Sequence, residues 1–496
     1  MKSKRLTAAL LTALFMIYSF TACSQTSAGN TPAPSPAVAA PTDSAAADSG
    51  AAPAVDAPAN DASANDAPVE ISIANWPQSI DAERVKMFEG YVATMKERYP
   101  NITIVPNEYA YTVDSFLPKA ASGQLPTLYS TFFTETDKII GAGYAADITD
   151  VLTELGYVQK LNPDMLALLQ RDGRTYGVPN GGYNVGMAYN VSIFKEAGLV
   201  DANGIPLYPQ TYEELAETAK TIKEKTGKTG LFWYTKNNQG GWMFMNLAWS
   251  YGVEFMKQEN GKWISTFDSE EAVSAMQYVK DLKWKHNVIQ DNLLVDGDDM
   301  FNMFGTNQVA MAYSTLDWND PLITQTGMNR NDLSLSRVPA GPVDRVSLMG
   351  GNCYMFNPSS TKEQIEAAFK WLEVTGFSPE ATELTQKGLE EKYENMLAKN
   401  LPVGPMPLRI WQSGDIAEVE EEIVNARINV DMNLWNEFCD GEGVTIHPEV
   451  PMNAQELYKA IDNIVQAVLT DENADIRVLL SEANATFQKD YLDNAQ

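Results

Sequence analysis

The chain has 496 residues, and 44% of them are hydrophobic, so it can bury a sizeable core. Its 65 acidic residues outnumber its 36 basic residues, which gives a formal net charge of −29 at pH 7. A surface this acidic repels phosphate backbones and anionic lipid headgroups, which argues against nucleic-acid binding and against peripheral contact with a membrane.

The first 22 residues have the pattern of a secretory signal peptide. Lys2, Lys4 and Arg5 form a basic start. The apolar run that follows is shorter than the roughly 20 residues that a bilayer span needs. Its end resembles the lipobox of bacterial lipoproteins, in which Cys23 would be lipidated and become the mature N-terminus, although Phe20 stands where leucine is usual. An ordinary cleaved signal peptide with an incidental cysteine is the alternative.

The segment 23–68 is expected to be a disordered linker. After Cys23 it consists almost wholly of Ala, Pro, Ser, Thr, Asp, Asn and Gly, and it has no aromatic residue. Such a segment cannot bury enough apolar surface to offset the entropy cost of ordering. The rest of the chain, from Val69 to Gln496, is long enough for two domains.

Strands and helices alternate at the start of this body. "VEISI", "NITIV" and "TLYSTFF" read as strands, and the apolar positions between Val85 and Tyr99 repeat at helical spacing before Pro100 ends the helix. This alternation predicts parallel strands joined by crossover helices. Ligands bind outside the carboxyl ends of such strands. Trp76 and the stretch 132–135 follow two of those ends.

Further elements are predicted in the middle and at the end of the chain. Thr211 with Glu214 and Thr361 with Gln364 have the spacing of capping boxes that begin helices. "TGLFWY" and "GGNCYMF" read as strands, and the chain from Asp415 onward is predicted to be largely helical.

The sequence gives little support for redox or metal chemistry. Cys353 and Cys439 follow Cys23, and the sequence does not decide whether they form a disulfide or stay free thiols. His286 and His447 have no cysteine nearby in the sequence, and no phosphate-binding Gly-rich motif follows a predicted strand. We therefore expect no metal and no cofactor.

Several motifs of the body occur in a recognisable order. "ASGQLPTLY", "YGVPNGGYNVGMAYNVSIFKEAGL", "GIPLYPQTYEELAETAKTI" and "FGTNQVAMAY" follow one another, and "VPAGP" and "AFKWLEV" come after them. This series resembles the extracellular solute-binding proteins of bacterial ABC importers, of the maltodextrin- and sugar-binding type. Two positions depart from the family pattern: Thr127 replaces the usual aspartate, and Ser314 stands where glycine is common.

The resemblance implies an α/β fold of the type II periplasmic-binding-protein-like kind, with two lobes joined by three crossover hinge segments. The crossings are expected at 178–186, 347–352 and 402–407. The N-terminal lobe is expected to comprise 69–180 plus 352–403, and the C-terminal lobe 186–344 plus 409–496.

The resemblance also implies a function. The protein would capture a carbohydrate, expected to be an oligosaccharide, between its lobes and deliver it to the permease subunits of an ABC transporter, without catalysis. We expect a monomer held at the extracellular face of the cell membrane by its lipid anchor only, as in Gram-positive bacteria. Two alternatives stay open: an anchored carbohydrate-degrading enzyme that uses a carboxylate pair, and a binding protein for a peptide or a polyamine.

A sugar site needs flat aromatic platforms for C–H faces and amide or carboxylate partners for hydroxyls. The candidates are Trp76, Phe132, Thr134, Glu135, Tyr183, Asn184, Trp242, Asp317, Trp318 and Tyr458. The resemblance matches Trp242, Trp318 and, more loosely, Tyr458 to aromatic positions of the family's cleft. Other tryptophans lie in helical patterns and are expected in the core: Trp249, Trp284 and Trp371.

Overall fold

The structure, a computed structural model, describes residues 67–406 and 408–493. The predicted signal peptide, Cys23 and nearly all of the predicted linker lie outside these residues, as does Pro407 in the third predicted crossing. Within the described part of the chain, no helix combines the length and the apolar character that crossing a bilayer requires.

The strands and helices alternate along much of the chain. The strands are β1 (Val69–Ile73), β2 (Ile102–Pro106), β3 (Leu128–Phe132), β4 (Gln170–Arg171), β5 (Arg174–Thr175), β6 (Gly177–Asn184), β7 (Gly186–Asn190), β8 (Thr229–Leu231), β9 (Met256–Glu259), β10 (Lys262–Ser265), β11 (Val309–Ser314), β12 (Leu333–Ser336), β13 (Val346–Phe356) and β14 (Thr445–Pro448). The helices are α1 (Ala82–Arg98), α2 (Val113–Ala121), α3 (Thr136–Gly141), α4 (Thr149–Glu154), α5 (Pro163–Ala167), α6 (Val191–Ala197), α7 (Tyr212–Thr226), α8 (Gln239–Ser250), α9 (Glu270–Trp284), α10 (Gly297–Gly305), α11 (Asn319–Thr326), α12 (Lys362–Val374), α13 (Glu383–Ala398), α14 (Asp415–Asn425), α15 (Asn436–Asp440), α16 (Ala454–Thr470) and α17 (Ile476–Phe487).

The first lobe is built on a mixed sheet with the strand order β14–β13–β3–β1–β2, and β6 pairs with β13. β1 is parallel to both β2 and β3, which confirms the parallel pairing predicted from the alternation. Ile71 and Ile73 alternate with more exposed residues along β1, so one face of this strand contributes more to the core. Phe369 and Leu372 of α12 lie in that same core.

The second lobe is built on a sheet with the strand order β12–β7–β11–β8. β7 is antiparallel to β11 and β12, and β11 is parallel to β8. Every residue of β7 and β11 is buried, as expected for strands covered on both faces. The largest core cluster of the described residues surrounds this sheet and includes side chains of α7, α8, α9 and α16.

Two strands carry the chain between the sheets. β6 belongs to the first sheet, and Val185 leads directly into β7 of the second. β13 begins with Val346 and Leu348 in the second lobe's core and continues with Cys353 in the first lobe's core. α8 holds the beginning of β13: Asn246 accepts the Leu348 N–H at 2.8 Å.

The third crossing is more irregular than the sequence predicts. Ile410 and Trp411 pack in the first lobe's core, although the predicted C-terminal lobe, 409–496, includes them. The Trp411 ring lies 4.8 Å from that of Phe377 and 5.3 Å from that of Tyr157, between ring centroids. Because these large side chains are buried there, the chain lies against the first lobe until α14 begins. The other predicted lobe boundaries stay predictions.

The predicted capping boxes and the strand predicted in the middle of the chain are confirmed only in part. Thr361 and Gln364 form the complete capping box of α12. Thr211 caps α7, but the Glu214 carboxylate accepts the Gln210 N–H at 2.7 Å, so that box is incomplete. The strand predicted over "TGLFWY" ends at Leu231.

The side chains predicted to be buried are mostly buried. Trp249 and Trp371 are in the core, but Trp284 is 38% exposed and donates its indole N–H to the Val468 carbonyl, so that prediction was wrong. Cys353 and Cys439, the cysteines of the described residues, are both free thiols, the former buried and the latter exposed.

Candidate functional site

A cavity of about 170 Å³ lies where the two sheets meet. It is bordered by β6 and β13 from the crossing strands, by the 3₁₀ helix over Leu316–Trp318 after β11, and by α15. Its lining residues are Gly181, Gly182, Tyr183, Asn184, Leu316, Asp317, Asn352, Leu408 and Phe438. Three predicted site residues, Tyr183, Asn184 and Asp317, therefore line one cavity.

Aromatic rings form a continuous wall beside this cavity. Tyr183 meets Trp242 edge to face, with ring centroids 5.9 Å apart. Trp242 is tilted against Trp318 at 5.7 Å, and Trp318 in turn contacts Phe301 at 5.3 Å. Tyr183, Trp242 and Trp318 are all half-buried, so parts of their rings stay accessible. We call these three residues the aromatic wall.

Tyr183 is positioned by a glycine on the neighbouring strand. Gly350 pairs with Tyr183 across the β6–β13 ladder. A Cβ atom at Gly350 would lie 2.3 Å from the Tyr183 hydroxyl oxygen, so the phenol ring occupies space that any other residue would fill. This close approach is the reason that position 350 is a glycine, and it allows the Tyr183 ring to lie against Trp242.

Trp242 is presented by the first turn of α8. That helix packs on α16 so closely that a Cβ atom at Gly241 would lie 2.1 Å from the Tyr458 carbonyl oxygen. The indole N–H of Trp242 is buried and has no hydrogen-bond partner among the described residues. An unpaired buried donor costs about 1–3 kcal/mol, so this group favours a partner that arrives from outside the chain.

Two carboxylates lie near Tyr183. The Asp317 side chain is exposed at the cavity, but the protein around it removes part of its hydration. This desolvation raises the pKa of its carboxyl. Glu449 accepts a hydrogen bond from the Tyr458 hydroxyl at 2.7 Å. Burial raises the pKa of Glu449 to about 7, and the carboxylate of Glu135 adds to this effect.

Glu135 belongs to the first lobe, in the 3₁₀ helix over Phe133–Glu135 that packs against α16 of the second lobe. Its side chain is 2% exposed and accepts a hydrogen bond from the Tyr111 hydroxyl at 2.8 Å. Burial raises the pKa of Glu135, Lys138 at 3.9 Å opposes the shift, and Glu456 on α16 adds to it. Carboxylates of both lobes therefore influence one another across the cleft.

The other predicted residues are engaged differently. Thr134 is buried beside Glu135, and Phe132 meets the Tyr111 ring edge to face at 5.6 Å. Trp76 packs against Phe88 at 5.0 Å and Trp371 at 5.9 Å, in the first lobe's core.

The Tyr458 ring is 1% exposed, so its link with the cleft runs through its hydroxyl and Glu449. Within the described part of the chain, the Trp76 ring packs against Phe88 and Trp371, and neither of these belongs to the aromatic wall.

Several residues of this region were not predicted from the sequence: Asn352, Leu408, Phe438 and Glu449. The glycine pairs at 181–182 and 350–351 offered a signal for Asn352, because paired glycines in facing strands mark a close backbone approach. Glu449 gave no local signal. No group of three or more His, Cys, Asp or Glu side chains suited to a metal occurs among the described residues.

The sequence is similar to known binding proteins. Residues 74–375 match the family described as bacterial extracellular solute-binding protein. A binding protein of Brucella abortus (strain 2308) is 25% identical over 292 residues, which is 56% of this chain and 62% of that protein. The match thus spans less than two thirds of this curated relative.

Two solved structures show the same fold. A solute-binding protein of an ABC transporter from Thermotoga lettingae TMO, bound with α-D-tagatose, is 19% identical with a TM-score of 0.62, over 85% of this chain and 99% of that one. The GacH receptor of Streptomyces glaucescens GLA.O, solved unliganded and with acarbose, is 18% identical with a TM-score of 0.62, over 86% of this chain and all of that one. The fold is therefore the two-lobed periplasmic-binding-protein-like type.

Proposed function

Because this chain belongs to the bacterial extracellular solute-binding proteins, we propose that it captures a carbohydrate, of oligosaccharide size, between its two lobes. The observation that carries the proposal is the aromatic wall beside a cavity bordered by both crossing strands. Half-exposed rings offer apolar faces to the C–H groups of sugar rings, while Asn184 and Asp317 offer partners for hydroxyls.

We further propose that the loaded protein docks on the permease of an ABC importer from the extracellular face of the membrane. The Cys23 lipid and the linker would hold it there as a monomer, which raises its effective concentration at the permease without new contacts. The family and the sequence pattern around Cys23 support this part of the proposal.

Calorimetry tests the carbohydrate proposal. The probes are maltotriose, acarbose, tagatose and chitotriose. We expect at least one to bind with a Kd of about 1 μM or tighter, which corresponds to about −8 kcal/mol. The same sugar should raise the melting temperature, because a ligand that binds the folded state stabilises it. Absence of heat and of stabilisation with all four sugars would contradict the proposal.

A second candidate is a cationic ligand such as a polyamine. Four carboxylates influence the cleft, those of Glu135, Asp317, Glu449 and Glu456, and Lys138 is their one basic ion-pair partner in the described part of the chain. Spermidine in the same calorimeter separates the candidates. Spermidine binding that is lost in Asp317→Asn, with no sugar binding, would favour the polyamine.

The remaining alternative, a carbohydrate-degrading enzyme, has its own test. The protein is incubated with maltohexaose and chitohexaose, and the products are separated by chromatography. We expect both sugars to be recovered intact. If the wild type yields shorter products and a cleft carboxylate variant does not, the protein is a carbohydrate-degrading enzyme and the binding proposal is wrong.

The anchor is tested by Cys23→Ala, which should release the protein from the membrane or block its processing. The matched control is Cys439→Ala, because Cys439 is an exposed free thiol of the body. If the Cys23→Ala protein is processed and retained like the control, lipidation at this position is wrong.

A further inference from the structure

Helix α8 carries Trp242 in its first turn, so the start of this helix sets where the ring lies. The first four N–H groups of a helix have no partner within the helix and need a cap. The residue before α8, Asn238, uses its side chain elsewhere, donating to the Gln455 side-chain oxygen at 3.2 Å. The cap must therefore come from another part of the chain.

The cap comes from Asp462 on α16. One carboxylate oxygen accepts the Asn238 N–H and the other accepts the Gly241 N–H, both at 2.7 Å. Asp462 is 4% exposed. A buried carboxylate at this end of a helix is favoured by the helix dipole as well as by the two hydrogen bonds. The contact bridges 221 residues of sequence, and it ties α8 to α16 next to the aromatic wall.

We propose that Asp462 is a positioning residue for ligand binding: by holding the first turn of α8, it fixes the Trp242 ring against Tyr183 and Trp318. The inference rests on the proposed function, in which that ring is a platform for sugar. Asp462 acts through Trp242 and does not touch the ligand.

The arrangement makes the positioning sensitive to pH. Burial raises the pKa of Asp462 to about 6, against the effect of its backbone N–H partners. Among the described residues, no basic side chain forms an ion pair with Asp462; Lys236, before α8, pairs with Asp296 and Asp299, and Glu449 accepts a hydrogen bond from Tyr458. Above pH 6 the carboxylate accepts both N–H groups. Because its pKa is raised in the buried, capped state, Asp462 binds a proton more tightly there than after the turn opens to water. The first turn is therefore held more firmly below pH 6 and opens more readily above it.

The test compares Asp462→Asn with Asp475→Asn. Asp475 is a matched control because it caps its own helix, α17, by accepting the Arg477 and Val478 N–H groups at 3.0 and 3.2 Å. In the ligand-free protein at pH 7.5, Asp462→Asn should speed amide hydrogen exchange of residues 238–242 by about tenfold. Asp475→Asn should leave that segment unchanged. Equal exchange in Asp462→Asn and wild type would overturn the inference.

A double-mutant cycle with maltotriose tests the route of action. Asp462→Asn should weaken binding by about tenfold in the wild type and by less than about twofold in the Trp242→Ala background, because the two residues act as one unit. Equal losses in both backgrounds would show that Asp462 does not act through the ring. If Trp242→Ala itself leaves affinity unchanged, the sugar platform is wrong, and the exchange experiment still decides the positioning role.

Wild-type protein gives an independent measurement if Asp462→Asn does not fold. Exchange of residues 238–242, corrected for the intrinsic effect of pH, should be about fivefold to tenfold slower at pH 5 than at pH 7.5, because protonation of Asp462 favours the capped turn. Equal protection at both pH values would overturn the inference.

Discussion

The two lobes line the cleft with different chemistry. The second lobe contributes the rings of Trp242, in the first turn of α8, and of Trp318, the residue directly before α11. The first lobe and its crossing strand contribute backbone at Gly181 and Gly182 and a buried carboxylate, Glu135. The tryptophan rings thus come from the second lobe, Tyr183 on the crossing strand completes the aromatic wall, and carboxylates come from both lobes. A ligand draws the two lobes into a closed state only if it binds that state more tightly than the open one. This requires contacts with both lobes.

The largest expected effect is on stability, in the first lobe. Trp76→Ala should reduce the free energy of unfolding by about 3 kcal/mol, because its ring packs against Phe88 and Trp371. Affinity for sugar should change by less than about threefold. Urea unfolding and calorimetry on the same preparation measure both. A large loss of affinity with unchanged stability would show that Trp76 contacts the ligand, as the sequence predicted.

The second expected effect is on affinity, in the second lobe. Trp242→Ala should weaken sugar binding by about 30-fold or more, since losing an aromatic anchor costs about 2 kcal/mol. The melting temperature should change little. Trp284→Ala is the control, because this half-exposed tryptophan lies outside the aromatic wall. An affinity within twofold of wild type would show that the Trp242 ring is not a platform for sugar.

A third variant acts where the lobes meet. Gly350→Ala should displace the Tyr183 ring and break its contact with Trp242, because the new Cβ would lie 2.3 Å from the hydroxyl oxygen. We expect about a tenfold loss of affinity by calorimetry. Gly388→Ala on α13 is the control, since its added Cβ would meet no side chain and no other element within 4 Å beyond its own helix backbone and chain neighbours. Unchanged affinity in Gly350→Ala would mean that the cleft tolerates a displaced Tyr183.

The smallest expected effect is the pH dependence of stability. The pKa of Glu449 is raised to about 7, so the folded state binds this proton more tightly than the unfolded state does. Its contribution to stability is therefore full at low pH and is lost as the pH rises toward 7. Because the side chain is only half-buried, we expect the loss to be about 1 kcal/mol.

Glu449→Gln removes the titration and keeps an acceptor for Tyr458. Urea unfolding from pH 5 to pH 8 should show a shallower fall in stability for this variant than for wild type. Glu391→Gln, at an exposed site, is the control and should follow wild type. Identical pH profiles for Glu449→Gln and wild type would show that the carboxylate is solvated.

Much of the fold could be predicted because its signals are local. The alternation of strands and helices gave the parallel pairing of β1 with β2 and β3. Thr361 and Gln364 lie three residues apart, so the cap of α12 is written in one short stretch. The third crossing was harder, because the return of Ile410 and Trp411 to the first lobe depends on partners distant in sequence.

The candidate site divides in the same way. Tyr183, Asn184 and Asp317 follow strands or lie in a crossing, and the structure brings them to one cavity. Trp76 also follows a strand, but its ring lies against Trp371, a residue almost 300 positions away that no local pattern joins to it. The cap of α8 by Asp462 is likewise a tertiary contact, since a cap normally lies just before its own helix.

The two free cysteines of the described residues make the cleft accessible to a chemical label. Cys439 is exposed and directly follows Phe438, which lines the cavity, whereas Cys353 is buried in the sheet. A maleimide dye would therefore react with Cys439 far faster than with Cys353 in the folded protein. An environment-sensitive fluorophore at this position would sit at the edge of the cavity and respond to its occupation. Cys439 thus offers a native attachment site for an optical reporter of cleft occupation.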